Sequence, residues 1–209
     1  MTEAQTVFLV DDDEAMRESL ALLLQEAGLR VRSFASAPEF LDAYPVIEPG
    51  CLVLDLRMPG MSGLELQETR QVMGAALPVI FLSGFGDVPS TVRAIKGGAV
   101  DFLEKPVTAE ALVARVRHTL AEERRHRARR AEREMIRQGY ASLSPREREV
   151  MVLATKGLAN KEIARHLRIS PRTVENHRAR VMEKMQAENI ADLCRMAAVC
   201  LAAEERPSA

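Results

Sequence analysis

Residues 51–63 read CLVLDLRMPGMSG. Cys51–Leu54 is a short apolar run, and it ends on a carboxylate, Asp55. Four other runs share its length and its richness in Val, Leu, Ile or Phe: Val7–Val10, Arg30–Phe34, Pro78–Leu82 and Val100–Leu103. Runs of this kind fit strands covered on both faces. Amphipathic stretches lie between them: Glu14–Ala27, Ser36–Ala43, Ser62–Met73, Val88–Lys96 and Thr108–Leu120. Met16, Leu20, Leu23, Leu24 and Ala27 form one stripe, with Gly28 as a stop. Ser36 is placed to cap the second helix. Strict alternation of five β and five α elements predicts an α/β fold, a (βα)5 doubly wound parallel sheet.

In such sheets the ligand site lies at the carboxyl ends of the strands. The first run ends in Asp11-Asp12-Asp13, the third in Asp55 and the fourth in Ser83-Gly84, and Lys105-Pro106 follows the fifth. Carboxylates gathered at one point repel one another unless a cation lies between them. Mg²⁺ suits oxygen ligands and keeps waters for a phosphate. A Lys opposite can neutralise phosphoryl oxygens, and a Ser hydroxyl can donate to one. The set is suited to placing a phosphoryl group on a carboxylate.

Residues 5–120 resemble the receiver domain of two-component response regulators. The resemblance rests on Val10-Asp11-Asp12, Asp55 with Arg57-Met58-Pro59-Gly60-Met61-Ser62-Gly63, Ser83-Gly84 and Lys105-Pro106. It implies that Asp55 is the phosphoacceptor. Asp11, Asp12, Asp55 and the backbone carbonyl of Arg57 would bind Mg²⁺. Lys105 would pair with the phosphate, Ser83 would be the switch hydroxyl and Phe102 the aromatic that moves with it. The resemblance also implies a cis Lys105–Pro106 bond. Asp13 reads as a helix N-terminal residue instead of a ligand.

The formal net charge of the 209 residues is −1, which on its face argues against a nucleic-acid partner. The average conceals a split: residues 1–120 sum to −7 and residues 121–209 to +6. The basic part is a candidate for nucleic acid. Within it, Ala121–Gly139 carries seven Arg and four Glu and reads as a solvated helical linker able to continue the preceding helix. From Ser142 only helices are predicted. Ser144-Pro145-Arg146-Glu147 is a capping-box signature. That helix runs to about Lys156 and stops at Gly157, and Asn160 is expected to cap Lys161–Leu167. Arg168-Ile169 turn into a helix from Ser170-Pro171 to about Met185, and a last helix covers about Asn189–Ala202.

Two helices on a very short turn, the second basic, suggest helix-turn-helix DNA binding. Ile163, Ala164, Leu167, Ile169 and Val174 form the apolar interface, extended by Val181 and Met185. Ser170, Arg172, Thr173 and the helix N-terminus can hold phosphates. Asn176 can pair with adenine, Glu175 with cytosine and an Arg with guanine. Arg178, Arg180 and Lys184 complete the polar set, and Lys161 belongs to the first helix.

Residues 142–202 resemble the LuxR-type helix-turn-helix of the FixJ/NarL family. The resemblance rests on Leu143–Glu147 with Val150, on Gly157 with Asn160–Ala164, and on Ser170–His177. It implies that Glu175, Asn176 and Ala179 face the bases. Where Glu175 stands, family members often carry Lys. His177 is expected to pack at the turn or touch the backbone. The last helix, with Leu193, Met196, Ala197, Cys200 and Leu201, resembles the module's dimerisation helix; simple core packing within one domain is the other reading, and the two are compatible. The implied organisation is a receiver at 1–120, a linker at 121–139 and a DNA-binding domain at 140–209. The implied partners are a sensor histidine kinase, duplex promoter DNA, RNA polymerase and, on phosphorylation, a second copy of the chain.

Composition narrows the remaining classes. No stretch approaches a membrane span, and Met1–Thr6 lacks a basic signal-peptide start, so a cytoplasmic location is expected. Cys51, Cys194 and Cys200 fit small buried hydrophobes better than a disulfide framework or a zinc site. Asp11 and Asp13 could also be the Asp-x-Asp of a haloacid-dehalogenase-like phosphatase, but this leaves Asp55 and the basic half unexplained. The receiver reading implies no enzyme activity beyond the domain's own phosphorylation and dephosphorylation.

Overall fold

The computed structural model describes residues 5–43, 49–72, 77–84 and 88–204. Two compact units divide within one helix, at His126/Arg127. In the first, β1 (Thr6–Val10), β2 (Arg30–Phe34), β3 (Gly50–Asp55), β4 (Val79–Ser83) and β5 (Asp101–Glu104) form one parallel sheet in the order β2-β1-β3-β4-β5. The connecting helices are α1 (Glu14–Glu26), α2 (Ala37–Ala43), α3 (Gly63–Val72) and α4 (Val88–Lys96). α5 (Ala109–Ala141) begins after β5. Met73, expected to end α3, lies outside the described residues.

Side chains of alternate residues split between two cores, as the two-residue period of a strand requires. Val7, Leu9, Cys51, Val53, Ile80 and Leu82 meet Leu20 and Leu24 of α1 and Leu112, Val116 and Leu120 of α5. Phe8, Val10, Leu52, Leu54, Val79 and Phe81 meet Phe40 of α2, Leu66 of α3 and Ala94 of α4. Both faces of β1, β3 and β4 are therefore buried. β2 and β5 depart from the expected full cover, because they are the sheet's edges and only Phe34 of β2 is fully buried. Gly28 supplies the positive φ of 78° that ends α1.

In the second unit the end of α5 packs with α6 (Pro145–Thr155), α7 (Asn160–Leu167), α8 (Pro171–Met185) and α9 (Ile190–Glu204). Val150, Ala154, Ile163, Ala164 and Val174 form one core, lined by Leu167 and Ile169. Ile136, Leu143, Met151, Val181, Met185, Leu193, Met196, Ala197 and Cys200 form the other. One expectation changes. Ile136 is buried, so the last turns of the Arg/Glu stretch belong to this core instead of a wholly solvated linker. Leu193, Met196, Ala197 and Cys200 of α9 pack into this core, as one of the two readings of that helix expected, and among the described residues Ile190 is its exposed large hydrophobe.

Helix starts follow local chemistry with one exception. Asp13 caps α1, its Oδ1 accepting the Met16 N–H at 3.1 Å. Ser36 accepts the Glu39 N–H at 3.3 Å. At α7 the cap residue is Ala159, not Asn160, and the Ala159 N–H donates to Glu162 Oε2 at 2.7 Å. Asn160 is taken elsewhere: its Oδ1 accepts from Arg178 Nη1 at 2.9 Å.

Candidate functional site

Because the five strands are parallel, their carboxyl ends share one edge of the sheet. Asp11 follows β1, Asp55 ends β3, Ser83 ends β4 and Lys105 follows β5. Lys105 Nζ bridges the two acids, at 2.7 Å from Asp11 Oδ2 and 2.5 Å from Asp55 Oδ1. The second oxygen of each acid takes a backbone donor. Asp55 Oδ2 accepts the Arg57 N–H at 2.7 Å, and Asp11 Oδ1 accepts the Asp13 N–H at 3.0 Å. Lys105 is fixed in turn by its own N–H, which donates to the Ser83 carbonyl at 2.7 Å, and the Lys105–Pro106 bond is cis.

Burial sets the electrostatics. Asp11 and Asp55 are 1% and 7% exposed, while Asp12 beside them is exposed. Burial pushes the Asp55 carboxyl above its ordinary value, against the opposing pull of Lys105 and the Arg57 N–H. Burial also works to lower Lys105, but its hydrogen bonds to Asp11 and Asp55 outweigh it and hold the ammonium above its usual value. Ser83 is buried, and Phe102 is half-buried with its ring 6.4 Å from that of Phe81.

Two supporting residues complete the pocket. A Cβ at Gly63 would stand 2.3 Å from the Asp55 carbonyl oxygen, so only glycine permits this approach. Arg17, which sequence reasoning missed, donates through Nη1 to the Asp11 carbonyl at 2.8 Å and pins the acidic loop. No periodicity marks it, since its partner lies before the helix that carries it. Among the described residues no three His, Cys, Asp or Glu side chains are gathered as a ready metal cage. The oxygens of Asp11, Asp12 and Asp55 nevertheless suit a hard cation, which needs only one or two protein carboxylates when water and phosphate complete its shell.

In the second unit, Arg168 turns the chain with φ 56° between α7 and α8. Ser170 caps α8, accepting the Thr173 N–H at 3.1 Å. Arg172, Glu175, Asn176, Ala179 and Arg180 are exposed and spaced to share one face of α8, while Val174 is buried beneath. Lys161 of α7 is also exposed. Two of the expected contacts, Arg178 and Lys184, are engaged within the unit. His177 is half-buried, in keeping with a packing role, and its buried Nδ1 has no hydrogen-bond partner among the described residues. Arg178 is tied to Asn160, bracing α7 against α8. Lys184 is committed to the fold, donating to Glu147 at 2.7 Å and to the Ser142 carbonyl at 3.1 Å.

Known families match both units. The response regulator receiver domain matches residues 7–117, and the luxR family of bacterial regulatory proteins matches residues 141–197. The chain is a response regulator with a LuxR-type DNA-binding domain. This response regulator is 48% identical over 197 residues to the transcriptional regulatory protein FixJ of Azorhizobium caulinodans, covering 94% of this chain and 93% of that one. The solved structure of response regulator StyR matches with a TM-score of 0.84 at 41% identity, covering 93% of this chain and 98% of that one. Full-length FixJ from B. japonicum matches with a TM-score of 0.61 at 44% identity, covering 96% and 99%. The response regulator is thus a phosphorylation-activated transcription regulator. None of its described helices is long and apolar enough to cross a membrane.

Proposed function

We propose that Asp55 accepts the phosphoryl group, from a sensor histidine kinase, in the cytoplasm. The Lys105 bridge between Asp11 and Asp55 is the observation that carries this reading. An Asp55 oxygen attacks phosphorus, the bond to the donor imidazole breaks, and an acyl phosphate forms. Lys105 then exchanges its contact with Asp55 Oδ1 for a phosphoryl oxygen while Asp11 keeps the ammonium in place. Mg²⁺, held by Asp11, Asp12, Asp55 and the Arg57 carbonyl, would neutralise further phosphoryl charge. The Ser83 hydroxyl donates to the phosphoryl group, and Phe102 follows it inward.

That shift repacks α4 and β5. Val88, Val92 and Ile95 of α4, with Val100 before β5, are exposed on this side, at 74%, 44%, 48% and 47%. Grouped exposed hydrophobes of this kind mark an interaction surface. We assign it to a homodimer formed on phosphorylation, as two-fold dimers read paired half-sites. Val92→Glu/Ile95→Glu is expected to accept phosphoryl groups normally yet stay monomeric in sedimentation velocity. A phosphorylated variant that dimerises like the parent rules this face out.

Residues 1–120 serve as receiver, 121–139 as connection, its last turns anchored in the second core by Ile136, and 140–209 as the DNA-binding and RNA polymerase-facing part. The exposed face of α8 enters the major groove, with Glu175, Asn176, Ala179 and Arg180 at the bases. Ser170, Arg172, Thr173 and Lys161 hold phosphates. Asn176→Ala should cost about 1–3 kcal/mol and relax preference at one base pair. Arg172→Gln should weaken all duplexes alike and flatten the salt slope by about one. Binding titrations over a range of salt separate the two. Selection from randomised duplexes with phosphorylated protein tests the whole reading; enrichment of no site would overturn it.

A further inference from the structure

A second basic feature belongs to the receiver unit, at the amino ends of the strands, opposite the Asp55 pocket. A cleft of about 340 Å³ opens there between Gln5, the Gly28-Leu29 turn, Arg30 and the α5 residues Arg117 and Arg124. Two of the three guanidiniums are held in place by neutral acceptors. Arg117 Nη2 donates to the Ala27 carbonyl at 2.8 Å, and Arg124 donates to Gln5 Oε1 through Nη2 at 2.8 Å and Nε at 3.3 Å. Gln5 is itself anchored, its Nε2 donating at 2.7 Å to both the Leu120 carbonyl and Glu123 Oε2. Arg30 is exposed, and its guanidinium has no hydrogen bond or ion pair among the described residues. Among the described residues no carboxylate lines the cleft, and the acid in this network, Glu123, is buried and tied to Gln5.

Three guanidiniums around one opening repel one another unless an anion lies between them. Each fork retains free N–H donors, and guanidinium geometry matches phosphoryl oxygens two at a time. The volume is at the small end of small-molecule sites, where pyrophosphate or the phosphate chain of a nucleotide fits. We propose that this cleft binds a small phosphorylated anion through Arg30, Arg117 and Arg124. Such a ligand ties β2, the end of α1 and α5 together, and so stabilises the folded receiver unit by mass action. This site is separate from Asp55, whose acid-rich surroundings repel a free anion when no cation is present.

Calorimetric titration of the full-length protein with pyrophosphate, in metal-stripped low-salt buffer, tests it. One saturable site is expected, weakened about tenfold or more in Arg30→Gln/Arg124→Gln and unchanged in Arg172→Gln on the DNA-binding helix. The double variant should take up phosphoryl groups on Asp55 as the parent does, which separates loss of this site from loss of the fold or of the phosphoacceptor. Adenosine triphosphate serves as the second arm. Affinity equal to that of pyrophosphate shows that the phosphate chain is recognised, and tighter binding shows that the nucleoside adds contacts in the same cleft. No saturable binding, binding untouched by the double substitution, or binding lost in Arg172→Gln would each overturn the proposal.

Discussion

Asp55→Asn should take up no phosphoryl group from a small phosphodonor with Mg²⁺, while the parent protein gains one acid-labile group. The substitution removes the attacking carboxylate and little else. An Asn side-chain oxygen can still accept the Arg57 N–H that Asp55 Oδ2 now accepts. Lys105 keeps its 2.7 Å contact with Asp11, so no buried charge is stranded. The fold should therefore survive, and the loss should be a loss of chemistry: without the nucleophile, the covalent route does not exist. Intact-protein mass spectrometry before and after acid treatment reads the result directly. One acid-labile phosphoryl group on Asp55→Asn would falsify the assignment of Asp55.

The same pocket shows how far sequence carries and where it stops. Asp11, Asp55, Ser83 and Lys105 were legible because each sits at the end of an apolar run, and a parallel sheet brings such ends to one edge. The runs were legible because β1, β3 and β4 are buried on both faces. Arg17 was not legible. Its role depends on a guanidinium reaching back to the Asp11 carbonyl, and no spacing rule encodes that contact.

The second unit fails in the same way at Asn160 and Lys184. Asn is a favoured helix cap, but Arg178, 18 residues away, claims its side chain, so Ala159 and Glu162 cap α7 instead. Lys184 lies on the polar side of α8 and suggested a groove contact, but a carboxylate from α6, 37 residues earlier, holds it. Local periodicity gives the face of a helix. Long-range polar pairs decide which residues on that face remain free to bind.

That Glu147–Lys184 pair should also control the stability of the DNA-binding unit. Glu147 is 2% exposed, and its Oε2 accepts from both Lys184 Nζ at 2.7 Å and the Ser144 N–H at 2.8 Å. The Ser144 hydroxyl accepts the Glu147 N–H at 3.3 Å, closing the capping box of α6. Lys184, followed by the Ser144 N–H, pulls the Glu147 carboxyl down to about 2. Glu147→Ala removes the ion pair and half of the cap. Breaking a fully buried pair costs about 3–5 kcal/mol. Lys184, at 36% side-chain exposure, recovers water, so a loss of about 2–3 kcal/mol is expected.

The pH dependence has a definite sign. Folding lowers this carboxyl below its unfolded value, so its stabilisation is complete above about pH 5 and is lost as pH falls through about 2. Urea melts followed by helical circular dichroism should separate parent and Glu147→Ala most at neutral pH and bring them together in strong acid. Glu147→Gln, which keeps an acceptor for the Ser144 N–H but no charge, should fall between. At neutral pH and moderate temperature, Glu147→Ala should lose duplex DNA affinity while Asp55 still accepts phosphoryl groups, because its pocket lies wholly in the other unit. A stability gap between parent and Glu147→Ala that does not shrink on acidification would show that packing around the side chain, not its charge, is what holds α6 to α8.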